Sequence, residues 1–143
     1  MPSARDAFSA QLEAADLGLH VKPYAGEIKA ARNDPAALDG LTPAALVLAG
    51  AGTQKKKGRY LMEALLVTDT PGFDEEGAQD DAIAYAEALA DFLTARRGRR
   101  WKGAGGTGYR TEYGSDGEGV SWETLAVTPG FAIVRVVVDV AEV

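Results

Sequence analysis

The chain has 143 residues, 46% of them hydrophobic and 25% charged, which suffices for one buried core and is too short for two ordinary domains. It contains no cysteine, so disulfides, thiolate nucleophiles and cysteine-based metal sites are excluded, and its net charge of -6 argues against generic coating of DNA. No apolar run approaches the roughly 18 residues of a membrane helix, and Met1 to Asp6 lack an apolar signal core, so the cytoplasm is the expected compartment.

In chain order, Ser3 and Asp6 suggest a capping-box start. Phe8, Leu12 and Ala15 then recur at helical spacing, which predicts a helix over about residues 4 to 16, closed by Gly18. Leu19 to Tyr24 reads as a short strand. Asp34-Pro35 is a helix-start signal and predicts one short turn around Ala36 to Leu38. The run Ala44 to Ala49, ended by Gly50, predicts a strand buried on both faces. Thr53 to Gly58 reads as a basic loop, and Arg59 to Thr68 as a strand joined to the preceding one in a hairpin.

Thr70 to Gln79, rich in Gly, Pro and acids, reads as a loop. From Asp81 to Arg97 the residues Ile83, Ala86, Leu89, Ala90 and Leu93 trace an apolar helical stripe, widened by Tyr85 and Phe92. Asp80 and Asp81 at its start and Arg96 and Arg97 at its end complement the helix dipole. Arg99 to Gly108 reads as a glycine-rich connector. Three strands follow, at Tyr109 to Tyr113, Val120 to Val127 and Phe131 to Val140, with turns at Gly114-Ser115-Asp116-Gly117 and Pro129-Gly130. In the last strand Val134, Val136, Val138 and Val140 share one face, while Arg135 and Asp139 take the other. The expected architecture is a single α+β domain over residues 1–143. It has a mixed or mainly antiparallel sheet with two helices packed against it, in the order α-β-β-β-α-β-β-β. No internal sequence repeat is visible.

Motifs for small-molecule chemistry fail on context. Gly103 to Gly108 spells GxGxxG, but the dinucleotide fingerprint needs a strand before it and a helix after it, and here the order is reversed. Gly50 to Lys57 resembles a phosphate loop but lacks the Gly-Lys-Ser/Thr ending and leads into a strand. The acids Asp74, Glu75, Glu76, Asp80 and Asp81 lack the alternating ligand spacing of a calcium loop. His20, the only histidine, has no companion motif for a triad or ligand set and reads as structural or solvent-facing. No catalytic residue, metal site or cofactor is expected, and the chain does not read as an enzyme.

The charge distribution is more informative. Nine of the fifteen basic residues fall in two short segments: Lys55, Lys56, Lys57 and Arg59, and then Arg96, Arg97, Arg99, Arg100 and Lys102, the second interrupted by Trp101. Two bases would satisfy a helix end; five and a tryptophan exceed that need. These ten residues are the candidate partner-binding set, with a protein partner as the favoured reading. A solvated helix end and contact with nucleic acid are the alternatives.

The N-terminal helix, Pro43-Ala44-Ala45-Leu46-Val47-Leu48-Ala49-Gly50, the strand from Tyr60 to Val67, the alanine-rich helix from Asp81 to Ala95 and the closing valine-rich strand together form a pattern. In it the chain resembles the small minor tail proteins of Mu-like phages and prophages, relatives of the tail-terminator proteins of long-tailed phages. The likeness covers most of the chain and is one of pattern, with no diagnostic motif. It implies a structural subunit forming a ring, with six copies as the expected number, on the finished tail tube. Such a ring stops tube growth and offers the head-joining surface. The implied partners are other copies of the chain, the tail tube protein and a head-completion protein, with no membrane. The implied locations are the host cytoplasm during assembly and then the virion tail. A head–tail connector protein is the near alternative, and a small nucleic-acid-binding module the alternative of a different class.

Overall fold

The structure is a computed structural model that describes residues 2–24, 42–48, 53–56, 59–69, 75–95, 101–102, 108–111, 120–128 and 131–142. Among the described residues two helices and eight strands follow in order: α1 (Pro2–Ala14), β1 (His20–Pro23), β2 (Ala44–Val47), β3 (Thr53–Lys56) and β4 (Arg59–Asp69), then α2 (Glu75–Ala95), β5 (Trp101–Lys102), β6 (Gly108–Thr111), β7 (Val120–Thr128) and β8 (Phe131–Glu142). All eight strands belong to one mixed sheet. The expected α+β class, with helices packed on a sheet, is what the chain adopts.

The sheet is organised by the antiparallel pair β4–β8, in register from Arg59↔Ala141 to Asp69↔Phe131. Beside β4, β2 (Ala44↔Val67 to Val47↔Ala64) and β3 (Thr53↔Leu61 to Lys56↔Arg59) lie end to end. Beside β8, β7 (Val120↔Val138 to Thr128↔Phe131) and β6 (Tyr109↔Glu142 to Thr111↔Val140) do the same. β1 adds to β2 in parallel and β5 to β6 antiparallel. Among the described residues the element order is thus a helix followed by four strands, twice over, although the sequence itself shows no repeat.

The two-residue period of β8 decides which side of this sheet is covered. Val134, Val136, Val138 and Val140 are 1% exposed or less and join Ala45, Val47, Met62, Ala64 and Leu66 in one core beneath both helices. α2 contributes Ala82, Ala86, Leu89 and Leu93, spaced four, three and four apart and all fully buried, as an amphipathic stripe requires. Ala7, Phe8 and Leu12 do the same for α1. The opposite face carries a second, smaller apolar cluster of Ala44, Leu46, Leu65, Val67, Phe131 and Ile133. β2 is therefore buried on both sides, as its unbroken apolar run predicts.

Several boundaries differ from the sequence reading. α1 begins at Pro2, so Ser3 lies within the helix instead of capping it, and proline at the first helical position is well tolerated because its missing N–H has no partner there anyway. The helix ends at Ala14; Asp16 (φ 52°) turns the chain left-handed before Gly18 (φ 77°) does. α2 starts at Glu75, not Asp81. Glu75, Glu76, Ala78 and Gln79 have adequate helix propensity for the single Gly77 to be absorbed. The Thr68 hydroxyl donates a 2.6 Å bond to the Ala78 carbonyl and fastens this extension to the sheet. The basic loop expected over Thr53 to Gly58 is strand β3 as far as Lys56, and the connector expected after Arg99 contains strand β5. The short turn expected around Ala36 to Leu38 and the two turns expected at Gly114–Gly117 and Pro129-Gly130 lie outside the described residues.

Candidate functional site

Three surfaces follow from this register. The first is the face of the sheet turned away from the helices, halfway along β8. There Arg135 reaches Glu63 on one side (Nη2 to Oε1, 3.4 Å) and Glu123 on the other (Nη1 to Oε1, 3.6 Å). Glu123 is its direct cross-strand partner, and Glu63 lies one diagonal away on β4. The Glu63 side chain is 16% exposed and that of Glu123 61%, so the former depends on the guanidinium far more than the latter. Replacing Arg135 with methionine should destabilise the fold by about 1–2 kcal/mol, above the roughly 0–1 kcal/mol of a fully exposed pair. A denaturant-melt double-mutant cycle with Glu63→Gln should show non-additivity; additive losses would mean the pair carries no weight. A shallow cleft of about 270 Å³ opens beside this trio, lined by Ser121, Trp122, Glu123, Arg135 and Val137. That is below the size at which drug-sized ligands are usually enclosed, about 300–1,000 Å³.

The second surface is one end of the sheet. Lys56 pairs with Arg59, Arg59 with Ala141, and Ala141 with Arg110. These four residues form one transverse row across β3, β4, β8 and β6. One strand further out, β5 brings in Trp101 and Lys102 opposite Tyr109 and Gly108. The two basic segments of the sequence, some forty residues apart, are therefore joined at one end through the pairing of β3 with β4 and of β5 with β6. Lys55 sits at the irregularity in β3 between Gln54 and Lys56. Lys57, Arg96, Arg97, Arg99 and Arg100 lie outside the described residues. Arg110, which the sequence reading did not single out, joins the row only because β6 pairs with the last residues of β8.

The third surface is the opposite end. β4 finishes in exposed Asp69, and α2 starts above it, held by the Thr68–Ala78 bond and by Gln79 Nε2 donating to Thr124 Oγ1 at 3.3 Å. Glu75, Glu76, Asp80 and Asp81 occupy the first seven residues of α2, where carboxylates complement the helix dipole. A small cleft of about 210 Å³ here is lined by Pro43, Thr68, Asp69, Asp81 and Tyr85. Among the described residues no three acidic or imidazole groups are close enough to hold a metal ion.

The short strand β5, and not the expected helix, directly precedes the GxGxxG string, whose Gly108 opens strand β6 where the dinucleotide fingerprint needs a helix. β3 lies within the phosphate-loop-like segment, and the strand that follows it is β4. His20 is exposed at the start of β1, where its backbone N–H donates to the Pro43 carbonyl at 2.9 Å. No helix among the described residues is long and apolar enough to cross a membrane. No family model, curated protein or solved structure matches this chain.

Proposed function

We propose that this chain is a structural subunit of a long-tailed phage tail, of the terminator type, that closes into a ring on the tail tube and presents the surface to which the head joins. What supports the reading is the polarity along the strands. Arg59 and Asp69 stand at opposite ends of β4, ten residues and so about 33 Å apart. That is several times the Debye length of about 8 Å at physiological ionic strength. The two ends therefore do not neutralise each other, and each presents its own sign to a neighbour. A ring of identical subunits needs two different, complementary surfaces on each copy, and a subunit basic at one end and acidic at the other offers them. A head–tail connector would draw on the same polarity.

The test is assembly on tubes polymerised from the tail tube protein of a long-tailed phage. The wild type should cap tube ends in negative-stain images and halt elongation. The variant with Arg96, Arg97, Arg99 and Arg100 all changed to glutamate should cap at least tenfold less well while melting normally. Normal capping by that variant would remove the charged-end mechanism. Sub-micromolar binding of the wild type to duplex DNA, with affinity falling steeply as salt rises, would favour the nucleic-acid-binding module instead.

A further inference from the structure

We propose that two copies of this chain pair edge to edge along β7, in antiparallel sense, about a twofold axis perpendicular to the sheet. β7 is nine residues long and pairs only with β8 among the described strands. Ser121 to Leu125 are all exposed, and they include the two large exposed hydrophobics of the described residues, Trp122 at 39% and Leu125 at 48%. An outer strand that is long, apolar and free of lysine and proline is a template for another strand, which soluble proteins ordinarily avoid. The chain does avoid it elsewhere. β1 has four residues, contains Lys22 and ends in Pro23; β3 carries lysines and an irregularity; β5 has two residues. The irregularity in β7 falls between Thr124 and Ala126 and leaves Val120 to Thr124 regularly paired. Among the described strands the open edge is therefore particular to β7, and pairing with β1 of a neighbour is disfavoured.

The occupant is a second copy because the edge is complementary to itself. β6 and β7 lie end to end along β8, and β5 pairs outside β6. The edge is thus stepped by one strand spacing, about 4.8 Å. A twofold axis at the middle of β7's outer edge sets the partner's β7 in line with β5, and the partner's β5 in line with β7. The same operation carries the basic end of one copy, with Lys102 on β5, alongside the acidic start of the other copy's α2, where Glu76, Asp80 and Asp81 are exposed. This contact is isologous and stops at two copies, so it is distinct from a head-to-tail ring contact and does not rest on it. It describes the free chain, which shields its open edge until a target is met.

Light scattering after size exclusion tests the pairing. The wild type at tens of micromolar should elute with twice the 15.0 kDa chain mass. The double variant Trp122→Lys, Leu125→Lys should elute at the single-chain mass, with dimer affinity lowered at least about 100-fold. Its melting in circular dichroism should be nearly unchanged at equal low concentration, since both side chains are exposed. Amides in Ser121 to Leu125 should lose hydrogen-exchange protection in the variant. A single-chain mass for the wild type overturns the pairing, as does a double variant that stays dimeric. A ring of about six copies that survives the double substitution also overturns it, while leaving the ring reading standing. Failure of tube capping with an intact dimer does the reverse.

Discussion

Replacing Val136 with asparagine is expected to remove most of the stability of this fold, whereas the same replacement at Val137 costs less than about 1 kcal/mol. Val136 is fully buried, between Ala64 of β4 and Trp122 of β7 in the register, on the face that α2 covers. Asparagine there forfeits about 1.5–3 kcal/mol of valine burial and strands an amide without water, at roughly 1–3 kcal/mol more. The sum is a large part of the 5–15 kcal/mol that holds a typical domain together. Val137, one residue on, is half-buried on the opposite face beside the cleft next to Arg135, where an amide meets solvent. The contrast reads the register itself, since slipping β8 by one residue would exchange the two outcomes. Urea melts of the two variants decide it: equal losses, or the larger loss at Val137, would contradict the assignment of faces.

Truncating Phe8 to alanine should cost about 3–5 kcal/mol. For a chain of this size that is a fall in melting temperature of roughly 10–20 °C. Phe8 is the largest buried side chain that α1 contributes, at 0% exposed, with Ala7 and Leu12 as its buried neighbours. It enters the same core as Leu89 and Leu93 of α2, so both helices and the sheet lose contacts together, and a single shifted transition is the expected melt. A loss under 1 kcal/mol would mean that α1 is not docked on the sheet as described.

Much of this architecture was legible because it is written locally. The valines of β8 alternate, and the apolar residues of α2 recur at helical spacing, so one face of each element had to be buried and the two had to meet. The apolar run of β2 likewise announced a strand covered on both sides. Where the reading failed, local composition and tertiary pairing disagreed. Thr53 to Lys56 looks like a solvated loop by its lysines, yet β4 offers it an open edge at Tyr60 and Leu61, and backbone pairing prevails over composition. The acids before Asp81 look like loop, yet at a helix start they are favourable charges. β5 is two residues long and leaves no periodic trace.

The candidate surfaces were legible only in part. Both basic segments stand out in the sequence, but nothing local says that they share one end of a sheet. That depends on β3 pairing with β4, β4 with β8, β8 with β6, and β6 with β5. The trio of Glu63, Glu123 and Arg135 was invisible for the same reason, because Glu63 is more than seventy residues from its partner. The open edge at β7 depends on which strands do not pair, which composition cannot express.

The polarity of the molecule can be measured directly because the chain has no cysteine of its own. Spin labels at Lys56→Cys and Arg110→Cys should lie three strand spacings apart, about 14 Å between backbones, and show strong dipolar broadening in the frozen protein. A label pair at Lys56→Cys and Asp81→Cys should lie far beyond that range. A long distance between positions 56 and 110, comparable to the roughly 33 Å length of β4, would show that the basic segments do not meet, and the polarised subunit would be contradicted at its foundation.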